Sequence, residues 1–194
     1  MSSVATPPTT DPAAQTKYQV RFDWGAEGAA RIAPDADILV WVDVLGSFEG
    51  NALDSLAVLP PQAAVLSAGF RTASAAARWI TERQHALGRR AMIAVVAAGG
   101  AAAAEAQGGG IRFAVENQLA AGAVIDALAT LGTDYCSPEA AASCAAFTGL
   151  RGAVAHLLTA SASAQQLVAA GVDPAVIRAA GALDAGDALT ILRD

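Results

Sequence analysis

ILVWVDVL, Ile38–Leu45, is an apolar run rich in β-branched residues that carries one carboxylate, Asp43, near its C-terminal end. Such a run, with no polar alternation, marks a strand covered on both faces, as in a parallel sheet flanked by helices. Burying even an uncharged polar group without a partner costs about 2–7 kcal/mol, and an ionised carboxylate costs more. Asp43 therefore needs a partner. Open α/β sheets gather ligands and metals at the carboxyl ends of their strands, so one reading is a site at this strand end. The other is an aspartate that caps the turn at Gly46 and Ser47. The octapeptide alone leaves both open.

Outward from this strand, the pattern alternates between strand and helix. Tyr18–Trp24 predicts a first strand at a sheet edge, punctuated by Gly25. Gly46–Pro61 reads mostly as turn, with a short helix over Ala52–Leu59 before two prolines. Ala63–Ser67 reads as a third strand that passes through Ala68 and Gly69 into a helix over Thr72–Leu87. Ala91–Val96 is a further β-branched run, followed by a glycine- and alanine-rich loop, Ala97–Gly110. Phe113–Leu131 has the period of the longest helix, with Val115, Leu119, Val124, Ile125 and Leu128 on its apolar face. Ser137-Pro138-Glu139 is a helix start: an N-cap, a proline in the first turn and an acid facing the helix dipole. Further helices are expected over Pro138–Phe147, Leu150–Ala160, Ala164–Ala170 and Ala175–Ala180, and a last strand over Ala188–Leu192. This alternation predicts a three-layer α/β/α fold with a mostly parallel sheet.

Composition narrows the function. The 194 residues fit one domain, expected over residues 17–194, after a Pro/Thr/Ala-rich lead over residues 1–16 that reads as disordered and lacks the apolar core of a signal peptide. With 54% hydrophobic and 15% charged residues, a net charge of −6 and no basic stripe, the chain is a poor match for nucleic acid. No apolar run reaches membrane-spanning length without glycine or charge, so no membrane partner is expected. Cys136 and Cys144 share no metal-type spacing with His85 and His156, and a reducing cytoplasm is the simplest setting. The alanine-rich face at Ala73–Ala77 leaves a homo-oligomer open.

Five segments taken together resemble the 2-phosphosulfolactate phosphatase family: VRFDWGAEGA at Val20–Ala29, DILVWVDVLGSF at Asp37–Phe48, VLSAGFRTASAAARWI at Val65–Ile80, GGGIRFAVENQLAAGAVIDAL at Gly108–Leu128, and CSPEAAASCAAF at Cys136–Phe147. The resemblance implies an α/β hydrolase that uses Mg2+ to remove phosphate from a small phosphorylated or sulfonated acid. It makes Asp43 and Glu116 the metal-holding and catalytic carboxylates. Ser67, Gly69 and Arg71, where strand meets helix, are expected to bind the phosphate through backbone amides and a guanidinium. The chain also departs from the family. Asn117 stands where a second acid follows Glu116, Ala98-Gly99-Gly100-Ala101 replaces a Gly-Glu-Arg-type element, and the stretch between Gly50 and Ala63 is shortened. Glu49 and Glu105 are the remaining acids that could supplement Asp43. These losses keep a second reading in play, a member that binds a small anion without turnover.

Overall fold

The computed structural model describes residues 11–46, 63–99 and 112–194. The expected helix at Ala52–Leu59, residues 1–10, Glu49 and Glu105 lie outside them. Five strands form one sheet: β1 (Val20–Trp24), β2 (Ile38–Val42), β3 (Ala64–Ala68), β4 (Ile93–Ala97) and β5 (Thr190–Arg193). Their order is β1-β4-β2-β3-β5. The first four run parallel, with β1 at the edge as expected, and β5 pairs antiparallel with β3. All four parallel strands therefore deliver their carboxyl ends to one edge of the sheet.

The helices are α1 (Gly25–Ile32), α2 (Ala73–Leu87), α3 (Val115–Thr130), α4 (Pro138–Leu150), α5 (Val154–Ala160), α6 (Ala162–Ala169) and α7 (Pro174–Ala180). Alternate residues of the strands serve two cores. Ile38, Val40, Ile93 and Val95 face α2 and α3 on one side, while Leu39, Trp41, Ala94 and Val96 face α1 on the other. Because both sets are apolar, the strands read as continuous hydrophobic runs. The layers are unequal. Helix α3 is apolar nearly all round because it is an inner helix, with the sheet on one side and α4 on the other. The two helices approach so closely at Gly122 that a Cβ there would lie 2.2 Å from the Ser143 carbonyl oxygen.

The structure differs from the sequence pattern in several places. Gly25 opens α1 rather than ending β1 into a loop. Helix α4 continues to Leu150, and a 3-10 turn at Arg151–Ala153 separates it from α5. Pro138–Ala169 has the length and mean hydropathy, 1.2, of a spanning segment, but this turn and the extended Ser161 divide it into three helices. The Ala73–Ala77 face packs into the core of its own chain, with Ala73, Ala75, Ala76 and Ala77 buried. Finally, residues 11–16 pack on β1: the Gln15 amide donates to the Phe22 carbonyl (2.9 Å) and accepts from the Phe22 N–H (3.0 Å).

One charged side chain is buried within the sheet. Arg21 of β1 is 0% exposed, and all five of its N–H donors are used: on the carbonyls of Tyr18, Ile32 and Thr16 and, bidentately, on Asp35. The guanidinium hydrogen bond holds the Asp35 carboxyl below its ordinary value. Stability from this pair is therefore fully present above about pH 4 and is lost as pH falls through the lowered value. Arg21→Ala strands three carbonyls and opens a cavity, and is expected to lower the unfolding free energy by about 3 kcal/mol in urea titrations. Asp35→Asn, at a half-exposed site, is expected to remove about 1 kcal/mol at neutral pH and to flatten the acid limb of the stability curve.

Candidate functional site

The carboxyl edge is organised where β2 and β4 end. Strand β2 stops at Val42, so Asp43 is the first residue beyond it. The Gly46 N–H donates to Asp43 Oδ1 (2.9 Å), which realises the capping role. A Cβ at Gly46 would lie 1.8 Å from Asp43 Oδ2, so this turn requires glycine. Asn117, 2% exposed in the first turn of α3, ties the two strand ends together. Its Oδ1 accepts from the Val44 N–H (2.8 Å) and its Nδ2 donates to the Ala98 carbonyl (2.7 Å). The acid expected by family resemblance could not make both bonds, because an ionised carboxylate donates nothing.

This clamp docks the start of α3 on the sheet and brings Glu116, 3% exposed, to the same edge as Asp43. Among the described residues, no hydrogen-bond donor or ion-pair partner meets the Glu116 carboxylate. Its place in the first turn of α3 sets it in the favourable end of the helix dipole. Burial pushes the Asp43 carboxyl above its ordinary value. The Gly46 N–H and the Asn117 amide offset part of that rise, and the charge of Glu116 adds to it. The two acids thus share one edge, an arrangement whose charge a cation would offset.

Asp43 and Glu116 border a cavity of about 300 Å³, closed on its far side by Ser163 and Gln166 of α6. Val44 and Leu45 hold α6 there by packing into a small cluster with Leu158, Ala164 and Ile177. Ser67, Gly69 and Arg71 lie in a separate recess of about 200 Å³ on the other side of Asp43. Ser67 is a residue of β3, in register between Trp41 and Thr190. The Gly69 N–H donates to Thr72 Oγ1 (3.3 Å) within its own turn. The Arg71 guanidinium donates to the carbonyls of Ala179 (3.0 Å) and Ala185 (3.4 Å), which straps the β3–α2 turn to the C-terminal segment. The structure therefore brings together Asp43 and Glu116, and it groups the expected phosphate residues beside Asp43 with their main donors turned to the protein itself.

Among the described residues, no three His, Cys, Asp or Glu side chains converge as a metal centre. Two carboxylates remain, a donor set that fits Mg2+, which keeps several waters and is commonly held by one or two protein carboxylates plus ligand oxygens. Cys136 is no activated nucleophile, since burial pushes its thiol up to about 11. Sequence reasoning missed Ser163 and Gln166, and with them Arg112, whose Nη2 donates to Ser163 Oγ (3.0 Å). Arg112 stands four residues before Glu116 in the family-like segment, which was the available signal. No protein-family model matches the chain, and no curated protein does.

Asn117→Asp is expected to remove the bond to Ala98 and to add a third carboxylate beside Asp43 and Glu116. It should cost about 2 kcal/mol at pH 7 and less near pH 4, read from urea midpoints. Asn117→Ala is expected to cost a similar amount without the pH dependence.

Proposed function

We propose that this chain is a Mg2+-dependent phosphatase acting on a small phosphorylated acid of the 2-phosphosulfolactate type. One observation carries the reading: Asp43, half-buried, and Glu116, buried, border one small cavity at the carboxyl edge of a parallel sheet, and the charge of Glu116 adds to the rise of the Asp43 carboxyl. Asp43 through Oδ2, the oxygen not taken by Gly46, and Glu116 through its carboxylate would hold the ion. Mg2+, when bound, supplies positive charge to the phosphoryl oxygens. The residues of the chain do the rest. Asn117 fixes the separation of the β2 and β4 ends, and Gly46 orients Asp43. The size of the cavity limits the substrate to a small acid. Hydrolysis adds water to phosphorus, breaks the bond from phosphorus to the ester oxygen, and returns a proton to that oxygen to give the hydroxy acid.

The engagement of Arg71 and of the Gly69 N–H by the protein itself favours the second reading, a protein that binds a small anion without turnover. Incubation with Mg2+ and a panel of phosphomonoesters, including 2-phosphosulfolactate and phospholactate, separates the two. The phosphatase reading predicts Mg2+-dependent phosphate release that falls at least about 100-fold in Asp43→Asn. Absence of release from every ester, or release unaffected by that substitution, would overturn it. Thermal unfolding supplies an independent check. A raised acid value means that ionising Asp43 subtracts stability as pH climbs from the ordinary value through the raised one. Metal-free Asp43→Asn, which keeps the Gly46 turn, should therefore melt no lower than wild type at pH 7 and should lose the stabilisation by Mg2+.

A further inference from the structure

Ser163, which lines the α6 side of the cavity, is bound by a cation set back from the lining. Arg112 reaches Ser163 Oγ, a group that lines the cavity, and among the described residues no carboxylate lies within ion-pair distance of its guanidinium. Its Nε is buried and has no acceptor. Arg21, Arg31, Arg78, Arg83, Arg89 and Arg151 each meet an aspartate and Arg71 is tied to backbone carbonyls, whereas Arg112 holds a single side-chain hydroxyl. A buried guanidinium N–H without an acceptor carries a desolvation penalty that a ligand oxygen would remove. Gln166, one turn along α6 from Ser163, adds a further amide to the same wall.

We propose that Arg112, steadied by Ser163, is the oxyanion-binding residue of the Asp43–Glu116 cavity, in place of Arg71. The ligand it takes is a small acid presenting phosphate, sulfonate or carboxylate oxygens, and the fork of the guanidinium suits paired oxygens of any of these. This rests on the reading that the Asp43–Glu116 cavity is the ligand site. Two ends of one substrate could supply the oxygens: the phosphoryl group or the acid head. Inorganic phosphate and unphosphorylated sulfolactate distinguish them.

Calorimetric titration of the full chain with each probe, in the presence of Mg2+, tests the assignment. Arg112→Gln is expected to weaken binding of at least one probe by about 10- to 100-fold, the range of a charge-assisted hydrogen bond, and the probe affected identifies the end that Arg112 holds. Arg112→Lys, which keeps the charge and loses the fork, should weaken it by about 10-fold, and Ser163→Ala by about 3-fold. Arg71→Gln should leave affinity within about 2-fold, and Mg2+ affinity should not fall in any of the four variants. If Arg112→Gln does not fold, as judged by its near-ultraviolet dichroism, Arg112→Lys and Ser163→Ala decide. Wild-type binding in the folded Arg112 variants, no binding of either probe to wild type, or loss of binding on Arg71→Gln would each overturn the proposal. Phosphate release with Arg112-independent binding overturns this inference alone. Arg112-dependent binding with no turnover of any ester overturns the phosphatase reading and supports this one.

Discussion

Burial of β2 and β4 on both faces is the constraint from which the rest of the structure follows. Every residue of Ile38–Val42 and Ile93–Ala97 is buried, so neither strand can carry a polar side chain along its length without a full set of partners. Arg21 on the neighbouring edge strand shows what such an exception demands, five donors placed on five acceptors. Elsewhere polar groups are displaced to the strand ends. Four parallel strands finish at one edge, so that edge collects Asp43, Asn117 and Glu116.

Asn117 converts this displacement into a defined geometry. A parallel sheet leaves backbone groups unpaired where its strands stop, here the Val44 N–H and the Ala98 carbonyl. A primary amide satisfies one of each with a single side chain. The same bonds fix the first turn of α3 against the sheet, so Glu116 follows Asn117 into a buried position beside Asp43.

Much of the fold was legible from local pattern, because the forces that shape it are local or periodic. ILVWV announced a doubly covered strand, and Ser137-Pro138-Glu139 announced α4 through a cap that the Ser137 Oγ in fact makes to the Ala140 N–H. Helix α1 was missed because Gly25 read as punctuation after the first strand. Gly28 is there for a packing reason, since a Cβ would lie 2.8 Å from Cγ of Asp23. The candidate site was legible only in part. Asp43 and Glu116 could be named because each sits in a strand-end or helix-start pattern; the capping reading of Asp43 is realised through Oδ1 in the turn, and its carboxyl also borders the cavity. The backbone partners of Arg71, Ala179 and Ala185, were out of reach of the sequence because they are more than 100 positions away. Arg112 and Ser163, separated by 51 positions, meet only through the tertiary path of α5 and α6 over the edge. Sequence spacing carries no trace of such meetings.

Charge balance gives the Asn117 departure a different meaning from simple loss. On the proposed Mg2+ reading, two carboxylates and one divalent cation cancel, whereas a third acid at position 117 would leave the edge negative. On the same reading Arg112, set back behind Ser163, adds one positive charge near the ligand, a difference felt by a ligand bearing more than one negative group. The chain as a whole is acidic and repels such ligands at a distance, so attraction has to be generated within the cavity. An amide at position 117 does this twice, by holding the strands together without charge and by leaving the positive contribution of Arg112 uncompensated.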